Sequence, residues 1–208
     1  MSNILNKHHL LDDNQFYHSK TDKKRIILHH TSGRTAQSSI DWWNLKPDHV
    51  STPYIIPRNG EIWELFNPEY WAYGLGVNSS YQEKKSIQIE IANAGGLNKI
   101  GNKFYTWYGV EIPIENVATY KNEHRGYFHY EKYTDKQVSS VIELIDYLSK
   151  KFNIEIKDVE KFWWYNYQSQ KTLISHTTLR KDKSDIHPQT NLIKAIYDYA
   201  GCFCPVTE

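Results

Sequence analysis

Arg25-Ile26-Ile27-Leu28-His29-His30-Thr31 is an aliphatic run that ends in two imidazoles. Three consecutive aliphatic residues read as a buried strand. Side chains alternate along a strand, so His29 and His30 point to opposite faces and only one can easily meet a shared ligand. Residues 86–93 read as a second strand, with Ile87, Ile89 and Ile91 on one face and Gln88, Glu90 and Ala92 on the other. A third short strand, Leu173-Ile174-Ser175, also runs into a histidine, His176.

The helices come from different signals. Thr134-Asp135-Lys136-Gln137 is a capping box, and Val138, Val141, Ile142, Leu144, Ile145 and Leu148 follow at near-helical spacing, so a helix is expected to about Phe152. A short helix with a Ser cap is expected over 38–45, and a last one over 191–199. Residues 53–65 read as a hairpin around Asn59-Gly60, with Pro57 making its first strand an edge or interrupted one. Residues 97–130 are rich in aromatics and read as an irregular insertion packed over a cleft. Strands alternating with helices give an α/β domain: one central mixed β-sheet flanked by helices, with the site at the sheet rim. The expected division is an arm over 1–22, the main domain over 23–200 and a tail over 201–208.

Composition narrows the function. The 208 residues carry 25 Lys and Arg against 24 Asp and Glu, a net charge of +1, so no footprint for nucleic acid is visible. No apolar run approaches the roughly 18 residues of a membrane span. The polar first 22 residues lack the apolar core of a signal peptide, so synthesis in the cytoplasm without a secretion signal is expected. Cys202 and Cys204 are the two cysteines. Their one-residue gap suits a disulfide poorly, and they read as reduced tail cysteines, with a metal clip as the alternative. The 16 Tyr and 7 Trp fill cores or line clefts for sugars and peptides; for most, the core is the expectation.

The chemistry lies in what the strands carry. One strand-end histidine of the 29–30 pair, His176, and a carboxylate from Lys183-Ser184-Asp185 make the inventory of a catalytic zinc site, with three protein ligands and an open position. A single histidine at a strand end is more often structural; two on separate aliphatic strands change that balance. The charged run 180–185 by itself reads as a solvated loop. In the metal reading, Asp185 is the anionic third ligand and Lys183 a cation near the reacting carbonyl. Glu90 is either a solvated residue on a half-exposed strand or a base whose burial among isoleucines raises its pKa.

In this order the residues resemble the zinc-dependent N-acetylmuramoyl-L-alanine amidases of the type-2 amidase and peptidoglycan-recognition superfamily, which includes phage lysozyme-type endolysins. The family's strand ending in His, His, then Thr or Ser is matched by Ile26-Ile27-Leu28-His29-His30-Thr31. Its hairpin stretch is matched by Val50 to Gly60, with Arg58-Asn59-Gly60. Its Ser-Ile-Gly-Ile-Glu is similar to Ser86-Ile87-Gln88-Ile89-Glu90, and its late His and Lys-x-Asp to His176 and Lys183-Ser184-Asp185. The match spans about 24–199. No single motif is specific; the ordered set is.

The resemblance implies that His29, His176 and Asp185 bind Zn2+, that Glu90 and Lys183 act in catalysis, and that His30 turns away into the core. It implies peptidoglycan, both glycan strand and stem peptide, as the partner of a monomeric enzyme. The enzyme would act at the cell wall or periplasm, released through a holin or carried on a virion if phage-encoded. A non-catalytic peptidoglycan receptor, a cytosolic muropeptide-recycling amidase and a secreted antibacterial toxin are the alternatives. Thr52 stands near the position of a catalytic Tyr in some members, leaving Tyr54 to packing. The chain departs from the pattern in three further places. Residues 97–130 and 160–170 are longer and more aromatic than the family's, which points to an unusual substrate preference. Trp71-Ala72-Tyr73-Gly74 replaces a His-containing motif. Ile186-His187-Pro188 replaces Pro-Gly, which makes His187 a rival ligand, although the register favours Asp185.

Overall fold

The computed structural model describes residues 4–8, 10–33, 35–77, 79–166 and 171–202. Its centre is a six-stranded mixed sheet built from β1 (Lys7–His8), β2 (Arg25–His30), β3 (Tyr54–Ile56), β4 (Trp63–Glu64), β5 (Ser86–Ile91) and, much later in the chain, a strand over Thr172–Ser175. Between these lie α1 (Ala36–Asn44) and α2 (Ser80–Lys84). An insertion after β5 contributes β6 (Asn98–Ile100), β7 (Lys103–Tyr105), β8 (Glu111–Ile112), β9 (Val117–His124) and β10 (Tyr127–Glu131). Then come α3 (Asp135–Phe152), the Thr172–Ser175 strand as β11, and α4 (Thr190–Tyr199). The sheet order is β1-β4-β3-β5-β2-β11.

β3, β5, β2 and β11 are mutually parallel. Their carboxyl ends therefore share one edge of the sheet, the edge where open α/β sheets bind ligands. Ile26, Leu28, Ile87, Ile89, Ile91 and Leu173 face α3 and α4, and form the main core with Val141, Leu144, Ile145, Leu148, Ile193 and Ile196. On the other face, Ile55 and Ala92 pack with Ile40 of α1 and with Leu11 and Phe16. Such strands buried on both faces read as aliphatic runs.

α3 begins where its capping box predicts: Thr134 Oγ1 accepts from Gln137 N–H, and Gln137 Oε1 accepts from Thr134 N–H. Gln137 also donates through Nε2 to the carbonyls of Ile56 and Ala92, at the ends of two strands. The helix start is thus stitched to the functional edge of the sheet. Leu144 is fully buried in this core, so Leu144→Ala is expected to cost about 2–5 kcal/mol of stability, measurable by denaturant unfolding.

Several expectations are corrected. α1 starts at Ala36 because Thr35 is its cap; Ser38, expected there, is its capping-box partner. β3 is an interior strand between β4 and β5 rather than an edge. It ends at Ile56, so the missing N–H of Pro57 is never asked for. Asn59-Gly60 does not form a two-residue hairpin turn: Gly60 N–H returns to the Pro57 carbonyl inside a longer loop. Residues 97–130 are not irregular, since β6, β7 and β8 form one small antiparallel sheet and β9 and β10 another. Much of the expected arm is built in: β1 pairs with β4, and Leu11 and Phe16 are buried. Among the described residues no helix is long and apolar enough to cross a membrane. Cys202 is half-buried with a free thiol, and Cys204 lies outside the described residues.

Candidate metal centre

Parallel pairing sets His29 of β2 opposite Glu90 of β5, and Ile27 opposite Gln88. Paired residues share a face, so Glu90 stands beside His29 on the side away from α3. His176 follows the last residue of β11 directly and opens a single 3-10 turn, His176–Thr178. Asp185 is brought back to the same point by its own backbone. Its carbonyl accepts from Ser175 Oγ at 3.0 Å and from Thr177 N–H at 3.3 Å.

Three side-chain atoms converge there. His29 Nδ1 and His176 Nδ1 lie 3.0 Å apart, and Asp185 Oδ2 lies 3.2 Å from the first and 2.9 Å from the second. All three residues are buried. His176 Nε2 is 2.9 Å from the Leu75 carbonyl. A carbonyl only accepts, so Nε2 carries a proton, and in the neutral ring that a metal requires the Nδ1 lone pair faces the cluster. A proton can satisfy one pair of these atoms, whereas a cation satisfies all three. Ligands about 2.0–2.1 Å from a tetrahedral zinc are themselves about 3.3 Å apart. The donor set and its spacing therefore fit a metal ion.

Burial, and then the neighbouring His176, pushes the His29 imidazole down to about 4, which keeps it neutral as a metal ligand must be. Burial alone would raise the Asp185 carboxyl, but the imidazoles of His176 and His29 outweigh it and hold the group well below the usual carboxylate range. Glu90 goes the other way. Burial first, and then the charge of Asp185, raise its pKa well above the ordinary value against the opposing pull of Lys183. Its Oε2 is shielded from solvent and has no hydrogen-bond partner among the described residues. Glu90, Lys183, Thr31, Ser32 and Gly74 line the same cavity of about 360 Å3 as the three converging residues.

The rival histidines are engaged elsewhere. His30 faces the other side and its Nδ1 lies 3.0 Å from Tyr133 Oη. His187 Nε2 is 3.0 Å from the Glu131 carbonyl and its Nδ1 2.6 Å from Tyr120 Oη, with its ring stacked on Tyr133. Neither belongs to the cluster. Tyr54 is buried and donates to Glu64, as packing required, and Thr52 is buried with its hydroxyl on the Tyr54 carbonyl.

Sequence reasoning missed two contributors. Gly74 passes so close to β5 that a Cβ there would lie 2.1 Å from Gln88 Oε1 and 2.9 Å from the Ser51 carbonyl. Its signal was the departing Trp71-Ala72-Tyr73-Gly74 itself. Trp107, in the β7–β8 turn, donates its indole N–H to the Ser32 carbonyl at 2.8 Å while the residue stays 68% exposed. The insertion thus reaches the cavity mouth, and only its generic aromatic content hinted at this.

Comparison with known proteins follows the same line. The family model described as N-acetylmuramoyl-L-alanine amidase matches residues 19–189. No curated protein matches the chain by sequence. Among solved structures, the fold is similar to that of a mutant endolysin from Bacillus subtilis, with TM-score 0.56, 15% identity, and 95% of this chain and 99% of that one covered. The catalytic domain of XlyA gives TM-score 0.55 at 13% identity, covering 95% and 98%. The N-acetylmuramyl-L-alanine amidase AmiD from E. coli, solved with anhydro-N-acetylmuramic acid-L-Ala-D-gamma-Glu-L-Lys, gives 0.54 at 18%, covering 86% of this chain and 59% of that one. With a family model spanning most of its length, the chain belongs to the N-acetylmuramoyl-L-alanine amidases, enzymes that hydrolyse the bond between N-acetylmuramic acid and L-alanine in peptidoglycan.

Proposed function

We propose that this amidase is zinc-dependent, that His29, His176 and Asp185 hold the ion, and that Glu90 and Lys183 carry out the proton transfer and charge stabilisation. The observation that carries the reading is the convergence of two ring nitrogens and one carboxylate oxygen within 3.2 Å of one another. When bound, zinc supplies Lewis acidity, which polarises a carbonyl and makes water acidic enough to ionise near neutrality.

The chain's own residues do the rest. Glu90, beside His29 and with a free carboxylate oxygen, takes a proton from the attacking water. Its raised pKa suits it to hold that proton. The oxygen attacks the lactyl carbonyl of muramic acid, and the Lys183 ammonium meets the negative charge that develops. The proton then passes to the alanine nitrogen as the C–N bond breaks. One carboxyl group and one amine result, and the stem peptide parts from the glycan. In this reading the enzyme acts as a lytic monomer on intact walls, in a phage or bacterial setting like that of the endolysin whose fold it shares.

Metal analysis tests the assignment. One zinc per chain is expected in the wild type, and His29→Ala and His176→Ala should lose it. His30→Ala should retain it, because His30 faces Tyr133 on the other side of the sheet. Full zinc occupancy in both His29→Ala and His176→Ala would remove these residues from the site.

A further inference from the structure

Glu83 is a carboxylate buried in the protein with no part in the chemistry above. It belongs to the five-residue helix α2, within Tyr81-Gln82-Glu83-Lys84-Lys85, a run that reads as a solvated surface. Yet it is fully buried. The Leu75 N–H donates to its Oε1 at 3.1 Å and Oε2 at 3.2 Å. Gln88 Nε2 donates to Oε2 at 3.0 Å. These partners are donors, so the carboxylate acts as an acceptor. Burial pushes its pKa up to about 7, while the donors on Leu75 and Gln88 pull the other way.

The carbonyl end of the same residue meets the metal centre. The Leu75 carbonyl receives His176 Nε2–H at 2.9 Å. Arg180 Nη1 reaches it more weakly, at 3.4 Å. Leu75 itself is clamped, with its side chain buried between Ile27 and Ile174. Gln88 ties the arrangement to β5, two residues before Glu90. A chain of hydrogen bonds therefore runs from Glu83 through the backbone of Leu75 to the outer nitrogen of His176. The two groups lie in successive peptide units joined at the Leu75 Cα, so the link is one of position, and the partner of a ligating imidazole sets its tautomer and its strength as a ligand.

We infer that Glu83 is a positioning residue for His176, holding Leu75 so that its carbonyl fixes the Nε2–H tautomer and turns Nδ1 toward the ligand cluster. This rests on the reading of His176 as a zinc ligand. A carboxylate that only braced the 74–76 loop would affect folding equally with and without metal. A positioning residue affects the metal more than the fold.

The test is Glu83→Gln in the full chain, read three ways: zinc affinity by competition with a chromophoric chelator, unfolding midpoints with and without zinc, and the His176 tautomer by imidazole 15N NMR. Zinc affinity is expected to fall about 10–100-fold. The zinc-loaded midpoint should fall more than the zinc-free one. The single Nε2–H form of the wild type should become a mixture. Unchanged affinity, or equal midpoint losses in the two states, would overturn the role. If the wild type takes up no zinc, the ligand reading fails by itself. The wild-type tautomer in metal-free protein then decides on Glu83: a dominant Nε2–H form supports it and a mixture overturns it. Should Glu83→Gln not fold, Gln88→Met keeps the volume and removes one donor to the carboxylate. A several-fold loss of zinc affinity is expected there, and an unchanged affinity would overturn the proposal.

Discussion

Glu90→Gln is expected to slow hydrolysis about 10²–10⁴-fold, the usual cost of losing a general base, while leaving zinc content and fold intact. The substitution nearly preserves volume, and Glu90 is not among the three converging residues. Its neighbours Ile89 and Ile91 are fully buried against the α3 face and hold β5 in place regardless. The variant should not lose stability, because Glu90 Oε2 is shielded from solvent and has no hydrogen bond among the described residues to lose. A turbidity assay on purified walls, run beside metal analysis and a melting curve, reads all three quantities. A folded, zinc-loaded Glu90→Gln protein with near wild-type turnover would take the base role away from Glu90.

Asp185→Ala is expected to have the larger effect, abolishing both zinc binding and turnover. It removes the one anionic ligand and leaves His29 and His176 facing each other at 3.0 Å. Two neutral imidazoles hold zinc far less well than the three-ligand sets of catalytic sites. The informative partner is His187→Ala. His187 is fully buried and bonded to Tyr120 and the Glu131 carbonyl. Its loss removes a buried ring stacked on Tyr130 and Tyr133 while the Glu131 carbonyl keeps Asn93 as a donor, at a cost of about 0.5–3 kcal/mol, yet zinc should remain. Metal content and unfolding midpoints of the two variants should move in opposite patterns. Zinc lost from His187→Ala and kept in Asp185→Ala would exchange the two assignments.

Most of the residues that line the cavity sit on strong local signals in the sequence. An aliphatic strand cannot hide His29, and the isoleucines around Glu90 fix which face it takes. Asp185 was harder. Its position depends on Ser175 and Thr177 binding its backbone carbonyl, a contact between residues ten and eight apart that no periodicity records. The Lys-x-Asp spacing shared with the family, and Pro188 restricting the backbone of His187, separated it from His187. The long helix α3 was read from its capping box, whereas α1 was misplaced by two residues because Thr35 and Ser38 both look like caps. The insertion was misjudged since β6 is exposed throughout and the eight residues of β9 do not alternate, leaving no regular pattern of buried and exposed side chains to read. Glu83 and Leu75 gave no signal at all, because their roles arise from tertiary hydrogen bonds across the 74–88 segment.

The chain is expected to hydrolyse the muramoyl–alanine amide through a metal held by His29, His176 and Asp185. The most direct test is mass analysis of purified peptidoglycan digested by the protein, first as isolated, then after chelation, then after zinc is restored. The predicted result is free lactyl carboxyl groups and free L-alanine amines in the first and third digests and none in the second. New reducing ends in place of those products, or the same products undiminished by chelation, would contradict it.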